Sequence, residues 1–319
     1  MRKYSINKVQ EALKVTQTGF LDKFTKAALK NFQLTSGLFP SGIIDDSTLT
    51  RLEKRTGIEL TEPENIIKSA DPTNYIEDKV VIIPNITTDY MELFGKIKDY
   101  KLNSGQYINQ TNKKKIIFIH HTAGWSNPYA VVDDWNRDTR GAIGTHYVIG
   151  GINAKNGDRR HDGEIVKAID HKNHAYHLGG NLPSNLTTES ISIELCSFGQ
   201  LTEKNGKFYT YVNTEVDKSQ VITLSKAFRG FKHWHAYSRA QIDSLIKLII
   251  DIGKSEVIDI KKGLPYLLKS KDPWDALELN SALCRDGSSL GGIWSHTNVR
   301  SDKVDVYPHP DLMAELKKL

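Results

Sequence analysis

The chain has 319 residues, room for two domains at roughly 100–200 residues each. Hydrophobic residues make up 39% and charged residues 25%, the profile of a globular fold, and no apolar run reaches the roughly 18 residues of a membrane span. The net charge of +5 suits an anionic partner although the basic residues are scattered, and Cys196 and Cys284 alone cannot build a disulfide framework.

Met1–Arg2–Lys3 is followed by alternating polar and apolar residues with no apolar h-region. No signal peptide is therefore expected, and the reading is synthesis in the cytoplasm without membrane insertion. Ile6, Val9 and Leu13 recur at helical spacing, and Ala27, Ala28, Leu29 and Phe32 form a second apolar stripe. Thr25 and Ser47 suit helix starts, while Gly19, Gly37 and Gly42 punctuate turns. Residues 1–58 are thus predicted to form a small all-α domain. Residues 59–110, with Pro63, Pro72 and Pro84 among many Asn, Asp and Thr, read as a linker. It is expected to hold one short strand (Val80–Ile83) and a helix near Met91–Ile97. From 111 to 319 the pattern is α/β: IIFIH, THYVIG, EIVKAI and SISIEL are strand-like, and helices are expected near 129–137, 218–229 and 239–253. The predicted architecture is a central mixed β-sheet flanked by helices.

Of eleven histidines, His161, His171, His174, His233 and His235 call for no special explanation. His120 differs because it ends the apolar run Ile116–Ile119, which places an imidazole on a rigid strand at a sheet rim. His121 follows, but strand alternation sends it to the opposite face. Near the C-terminus, WSHTNVRSDKVDVYPHPDL holds His296 and Asp305, with Lys303 two residues before Asp305. Zinc accepts imidazole nitrogen and carboxylate oxygen, and a catalytic site keeps three protein ligands with one open position. His120, His296 and Asp305 meet that count, although residues so far apart follow no regular motif. In SISIEL, Ile191, Ile193 and Leu195 share one strand face, and Ser190, Ser192 and Glu194 the other. A carboxylate in a core strand is costly unless paired or solvated in a cleft, so the polar face is expected to line a groove. The alternative is an edge strand with a solvent face.

Two resemblances sharpen this picture. VQEALKVTQTGFLDKFTKAALKNFQLTSGLFPSGIIDDSTLTRL resembles the short peptidoglycan-binding domain found beside wall hydrolases. Its pattern falls on Gln10, Gly19, Thr25, Ala28, Leu29, Phe32, Gln33, Gly42, Thr48 and Leu52. IIFIHHTAG, GTHYVIG, HAYHLGG, SISIEL and SHTNVRSDKVD, in that order, resemble the zinc-dependent N-acetylmuramoyl-L-alanine amidases. The resemblance implies a bound Zn2+ held by His120, His296 and Asp305. It further implies Glu194 as the acid–base residue and Lys303 as the group that stabilises the oxyanion. His309 competes with His296 but lies after the Lys-x-Asp and breaks the order. Thr145 stands where one branch has a Tyr before His146, which favours the branch that uses Glu194. Ala175–Tyr176–His177 replaces Ala-Trp-His at an expected pocket wall, and 267–292 is expected to be a long loop shaping substrate choice.

The implied activity is cleavage of the bond between N-acetylmuramic acid and L-alanine in bacterial peptidoglycan, in the setting of a phage endolysin that reaches the wall after release, with a phage tail-associated hydrolase or a bacterial autolysin as the alternatives. A peptidoglycan binder without catalysis would lack a ligand, and all three are present. A nucleic-acid partner is not expected, for want of a basic helix, an aromatic stacking motif or a zinc-finger cysteine pattern.

Overall fold

Among the described residues, the N-terminal unit holds three helices: α1 (Ile6–Ala12), α2 (Lys23–Thr35) and α3 (Asp46–Thr56). The computed structural model describes residues 4–15, 17, 21, 23–36, 38, 42–60 and 97–319, and the chain divides into two units, Met1–Val81 and Ile82–Leu319. The expectations at Gly19, Gly37, Pro63, Pro72, Pro84, Val80–Ile83 and 91–96 lie outside the described residues.

α3 shows why these helices form. Asp45 caps it by accepting from the Thr48 N–H at 2.7 Å, Asp46 opens it, and Lys54 and Arg55 close it, so charge follows the helix dipole at both ends. Gly57 ends it at φ 72°, a left-handed conformation suited to glycine. Val9, Leu29, Phe32, Ile44, Leu49, Leu52 and Leu60 form the core. Several motif residues turn out to be buried polar struts. Gln10 donates to Thr25 Oγ1 at 2.8 Å, so Thr25 lies inside α2 rather than capping it. Gln33 donates to the Ile43 carbonyl at 2.8 Å and Thr48 Oγ1 at 3.0 Å, and accepts from the Gly42 N–H at 2.8 Å.

Among its described residues the second unit carries thirteen strands. In chain order they are β1 (Ile97–Asp99), β2 (Tyr107–Ile108), β3 (Ile116–His121), β4 (Tyr147–Ile149), β5 (Ile165–Lys167), β6 (His174–Ala175) and β7 (Ser190–Leu195). β8 (Gln200–Lys204), β9 (Lys207–Tyr209), β10 (Glu215–Val216), β11 (Val221–Phe228), β12 (Phe231–His235) and β13 (Gly292–Ser295) follow. The main sheet has the order β1-β5-β4-β7-β3-β13. β3 lies parallel to both β7 and β13, and β4 runs antiparallel to β5, so the sheet is mixed. All six residues of β3 are buried, which is why its sequence is an unbroken apolar run up to the histidines.

Helices α4 (Pro128–Arg137), α5 (Arg239–Glu256) and α6 (Pro310–Lys318) flank the sheet. Ile117, Ile119, Ile191, Ile193 and Leu195 share a core with Leu245, Leu248, Ile249 and Ile252 of α5 and Leu312 and Leu316 of α6. Ile116 and Phe118 face the other way, toward Leu178, Leu186, Leu283 and Trp294.

Three expectations change. β1 pairs with β5 and β2 with β6, so residues 97–99 and 107–108 belong to the catalytic unit rather than to a linker spanning 59–110. The helix expected near 218–229 is a short 3-10 turn (Lys218–Gln220) followed by β11, in a second, antiparallel sheet of order β10-β9-β8-β12-β11. Leu224 and Phe228, four apart, fit a helical stripe, but residues four apart also share one face of a strand, so this spacing does not separate the two, and both are buried in β11. The long segment before His296 forms short helices that bury Leu264, Leu268, Ala276, Leu277 and Leu283, so much of it is core.

Replacing Gln33 by Leu keeps volume but strips partners from Gly42 N–H, the Ile43 carbonyl and Thr48. The N-terminal unit is expected to lose about 2–4 kcal/mol in denaturant unfolding. A stability equal to the parent chain's would show that these buried bonds are dispensable.

Candidate active site

Strand register brings the candidate residues together. Along β3 and β7, His120 pairs with Glu194, and a matched register in a parallel pair puts both side chains on one face. On the other flank of β3, β13 pairs Ser295 with Ile119, so the next residue, His296, arrives level with His120. A 3-10 turn (His296–Asn298) then carries the chain away from the sheet. Thr297 N–H donates to the Asp305 carbonyl at 3.2 Å, which folds the Lys303–Asp305 segment back over the same strand ends. His120, His296 and Asp305 are all buried, and each offers an atom to one cluster. His120 Nδ1 lies 3.2 Å from His296 Nδ1 and 3.0 Å from Asp305 Oδ2, and His296 Nδ1 lies 3.1 Å from that same oxygen.

The surrounding hydrogen bonds assign the protons. His296 Nε2 sits 2.9 Å from the Leu178 carbonyl, which only accepts, so Nε2 carries a hydrogen and the neutral ring would offer its lone pair at Nδ1. His120 is assigned through a chain. Ser190 Oγ donates to the Thr187 carbonyl at 3.1 Å and therefore accepts from His177 Nε2 at 2.8 Å. Burial and neighbouring positive charge hold His177 well below the usual imidazole range, so it is neutral and its Nδ1 accepts. It accepts from His120 Nε2 at 3.0 Å, which leaves the His120 Nδ1 lone pair facing the cluster. With both rings neutral, three acceptor atoms converge.

Acceptors so placed repel unless a cation lies among them. Tetrahedral zinc at about 2.0–2.1 Å from nitrogen would separate its ligand atoms by about 3.3 Å, close to the spacings here. The residues fit a divalent metal with two imidazoles and one carboxylate, each imidazole oriented by a hydrogen bond from its far nitrogen.

Glu194 Oε2 is buried and has no hydrogen-bond partner among the described residues. Burial first, and then the charge of Asp305, raise its carboxyl well above the usual range, while the Lys303 ammonium opposes them. The same ammonium also acts on His120. The site therefore holds a carboxylate with high proton affinity and a cation beside the three acceptors.

Other histidines fall elsewhere. His121 points to the opposite face, where Nδ1 meets the Tyr237 hydroxyl at 2.7 Å. His309 caps α6 and stacks on Tyr237 at 5.3 Å, away from the cluster. Thr145 bonds its own strand, Oγ1 to the Tyr147 carbonyl at 2.9 Å. His177 and Ser190, read from the sequence as a pocket wall and as part of a polar strand face, instead orient His120. The signal available was the alternation that put Ser190 on the face of Glu194.

The family model of N-acetylmuramoyl-L-alanine amidase matches residues 110–305, and that of a "Putative peptidoglycan binding domain" matches 5–52. A search of curated proteins finds no match. Among solved structures, an alanine variant of PlyL is similar at 12% identity and TM-score 0.39, covering 70% of this chain and 99% of that one. The endolysin N-acetylmuramoyl-L-alanine amidase LysCS from Clostridium intestinale is similar at 13% identity and TM-score 0.38, covering 70% of this chain and 93% of that one. Because the first family model spans more than half of the 319 residues and ends on Asp305 itself, the chain belongs to the N-acetylmuramoyl-L-alanine amidase family and is a peptidoglycan-hydrolysing enzyme.

Proposed function

We propose that this amidase is zinc-dependent, with His120, His296 and Asp305 as the metal ligands, Glu194 as general base and acid, and Lys303 as oxyanion stabiliser. The observation that carries this reading is the convergence of three ligand-type atoms level with Glu194, whose Oε2 has no hydrogen-bond partner among the described residues. Zinc bound there would supply Lewis acidity for the amide carbonyl and lower the pKa of water from 15.7 to about 7. Glu194 takes a proton from the attacking water and delivers it to the departing L-alanine nitrogen. Its raised proton affinity suits both halves of that transfer, since the carboxyl must hold the proton between them. Lys303 sets a positive charge beside Glu194 and His120, where negative charge develops on the carbonyl oxygen. His177 and Ser190 keep His120 in the tautomer that offers Nδ1.

The helical unit is proposed to hold the enzyme on the wall. A wall-binding unit ahead of an amidase suits a bacteriolytic role of the endolysin type, with no nucleic-acid partner. Among the described residues no helix is long and apolar enough to cross a membrane.

His120→Ala, His296→Ala and Asp305→Ala are each expected to abolish stoichiometric zinc and nearly all hydrolysis. Elemental analysis finding full zinc in one of them would remove that residue from the ligand set. Glu194→Gln keeps volume and loses the proton site, so zinc content and melting temperature should hold while turnover drops roughly 10²–10⁴-fold. A variant that melts early yet cleaves normally in the cold would place Glu194 in the scaffold. Removing the helical unit should weaken binding to intact sacculi and spare hydrolysis of soluble muropeptides, because only the second attachment is lost. Unchanged sacculus binding in a sedimentation assay would refute the wall-binding role.

A further inference from the structure

Past the ends of β3 and β7 the two chains keep hydrogen bonding: Thr122 N–H to the Leu195 carbonyl at 3.0 Å and Gly124 N–H to the Ser197 carbonyl at 3.1 Å. Trp125 comes next, five residues beyond His120 and so at most about 18 Å along the chain from it. Its backbone is pinned on both sides, since Gly151 N–H bonds the Ser126 carbonyl at 3.0 Å. Its ring meets Phe198 edge-on at 4.9 Å yet stays 44% exposed.

A second aromatic reaches the same place from the antiparallel sheet. Tyr211 sits in the turn between β9 and β10, a turn closed by Thr210 N–H to the Thr214 carbonyl at 2.9 Å and Asn213 N–H to the Thr210 carbonyl at 2.9 Å. Its hydroxyl donates to the Ala123 carbonyl at 2.9 Å, tying the hairpin tip to the loop that follows the His120 strand. Its ring lies 6.2 Å from Phe198 and is 63% exposed. Phe198 is buried at 1% exposure and is the shared floor under both rings. Two large aromatics held this firmly and left this open forgo the stabilisation of burial, the pattern of a binding surface.

The chemistry of the surroundings indicates the ligand. The Trp125–Phe198–Tyr211 cluster contains no charged side chain. The cations near the site, Lys303 and Arg300 (the latter ion-paired with Asp302 at 2.6 Å), belong to the segment that follows β13, on the far side of β3. Stem-peptide carboxylates suit that cationic side. A pyranose ring, with an apolar C–H face and outward hydroxyls, suits uncharged aromatic faces. The amide cleaved lies at the junction of sugar and peptide, so the two components must leave the site in different directions.

We propose that Trp125 and Tyr211 form a saccharide subsite, stacking on an N-acetylhexosamine ring of the glycan strand near the muramyl residue whose amide is cut. This rests on the reading of the β3–β7 edge as the amidase centre. The test uses the full chain and chitotetraose, an N-acetylglucosamine tetramer with no muramyl amide, so binding is measured apart from catalysis. Titration should give saturable binding with a shift in tryptophan emission. Trp125→Ala and Tyr211→Ala should each weaken it about tenfold or more, and Trp125→Phe should retain most of it. In kinetics, both alanine variants should raise KM for multi-sugar muropeptides, leave kcat near the parent value, and leave cleavage of single-sugar muramyl peptides unchanged. Tyr211 lies in an exposed turn, so its variant carries the test if Trp125→Ala folds poorly. Equal chitotetraose affinity in parent and Tyr211→Ala, or displacement of the tetramer by free stem peptide, would overturn the proposal. Normal hydrolysis of sacculi alongside either result would leave the amidase reading standing.

Discussion

The candidate site depends on register in three adjacent parallel strands. β3 is paired with β7 on one side and β13 on the other, and these pairings set Glu194, His120 and His296 at one level of the sheet. A slip of one residue in either pairing would send the affected side chain to the other face. The apolar residues guard against this, since Ile117, Ile119, Ile191 and Ile193 must meet α5 and α6, and any slip would carry them out of that core. The same alternation that builds the core therefore aims the chemistry.

A second layer of hydrogen bonds orients the imidazoles of this candidate metal site. Imidazole offers a lone pair at only one nitrogen when neutral, and which one depends on what the other nitrogen meets. The Leu178 carbonyl settles it for His296, and the His177–Ser190–Thr187 chain settles it for His120. Both partners come from the segment between β6 and β7, so the loop that closes one side of the site also determines what the site can bind. Glu194 shares the low-polarity setting, and burial that would be a liability for a scaffold carboxylate gives this one its affinity for a proton.

The N-terminal unit follows a different logic. Its motif residues Gln10, Thr25, Gln33 and Thr48 are spent on internal hydrogen bonds, so the pattern that makes the unit recognisable describes how it folds. The second sheet of the catalytic unit is likewise a structural addition, and its hairpin tip reaches back to the loop after β3 through Tyr211.

Much of the candidate site was legible before any tertiary structure. His120 was visible because an apolar run stopped at it, and Glu194 because strict alternation isolated a carboxylate on one strand face. These are local signals, set by the two-residue period of a strand and the cost of burying charge. His296 and Asp305 needed the family resemblance, since their nearness to His120 depends on β13 pairing with β3 across more than 170 residues of chain. Only the tertiary structure decided the roles of His177 and Ser190, because a tautomer is fixed by partners from other segments. It also decided that 221–228 is a strand, because a four-residue apolar spacing shares one face of a strand as well as of a helix and only pairing with β12 separates the two. Short-range periodicity is written into the order of residues, whereas register between distant strands and the proton on a given nitrogen are set by whichever neighbours folding brings.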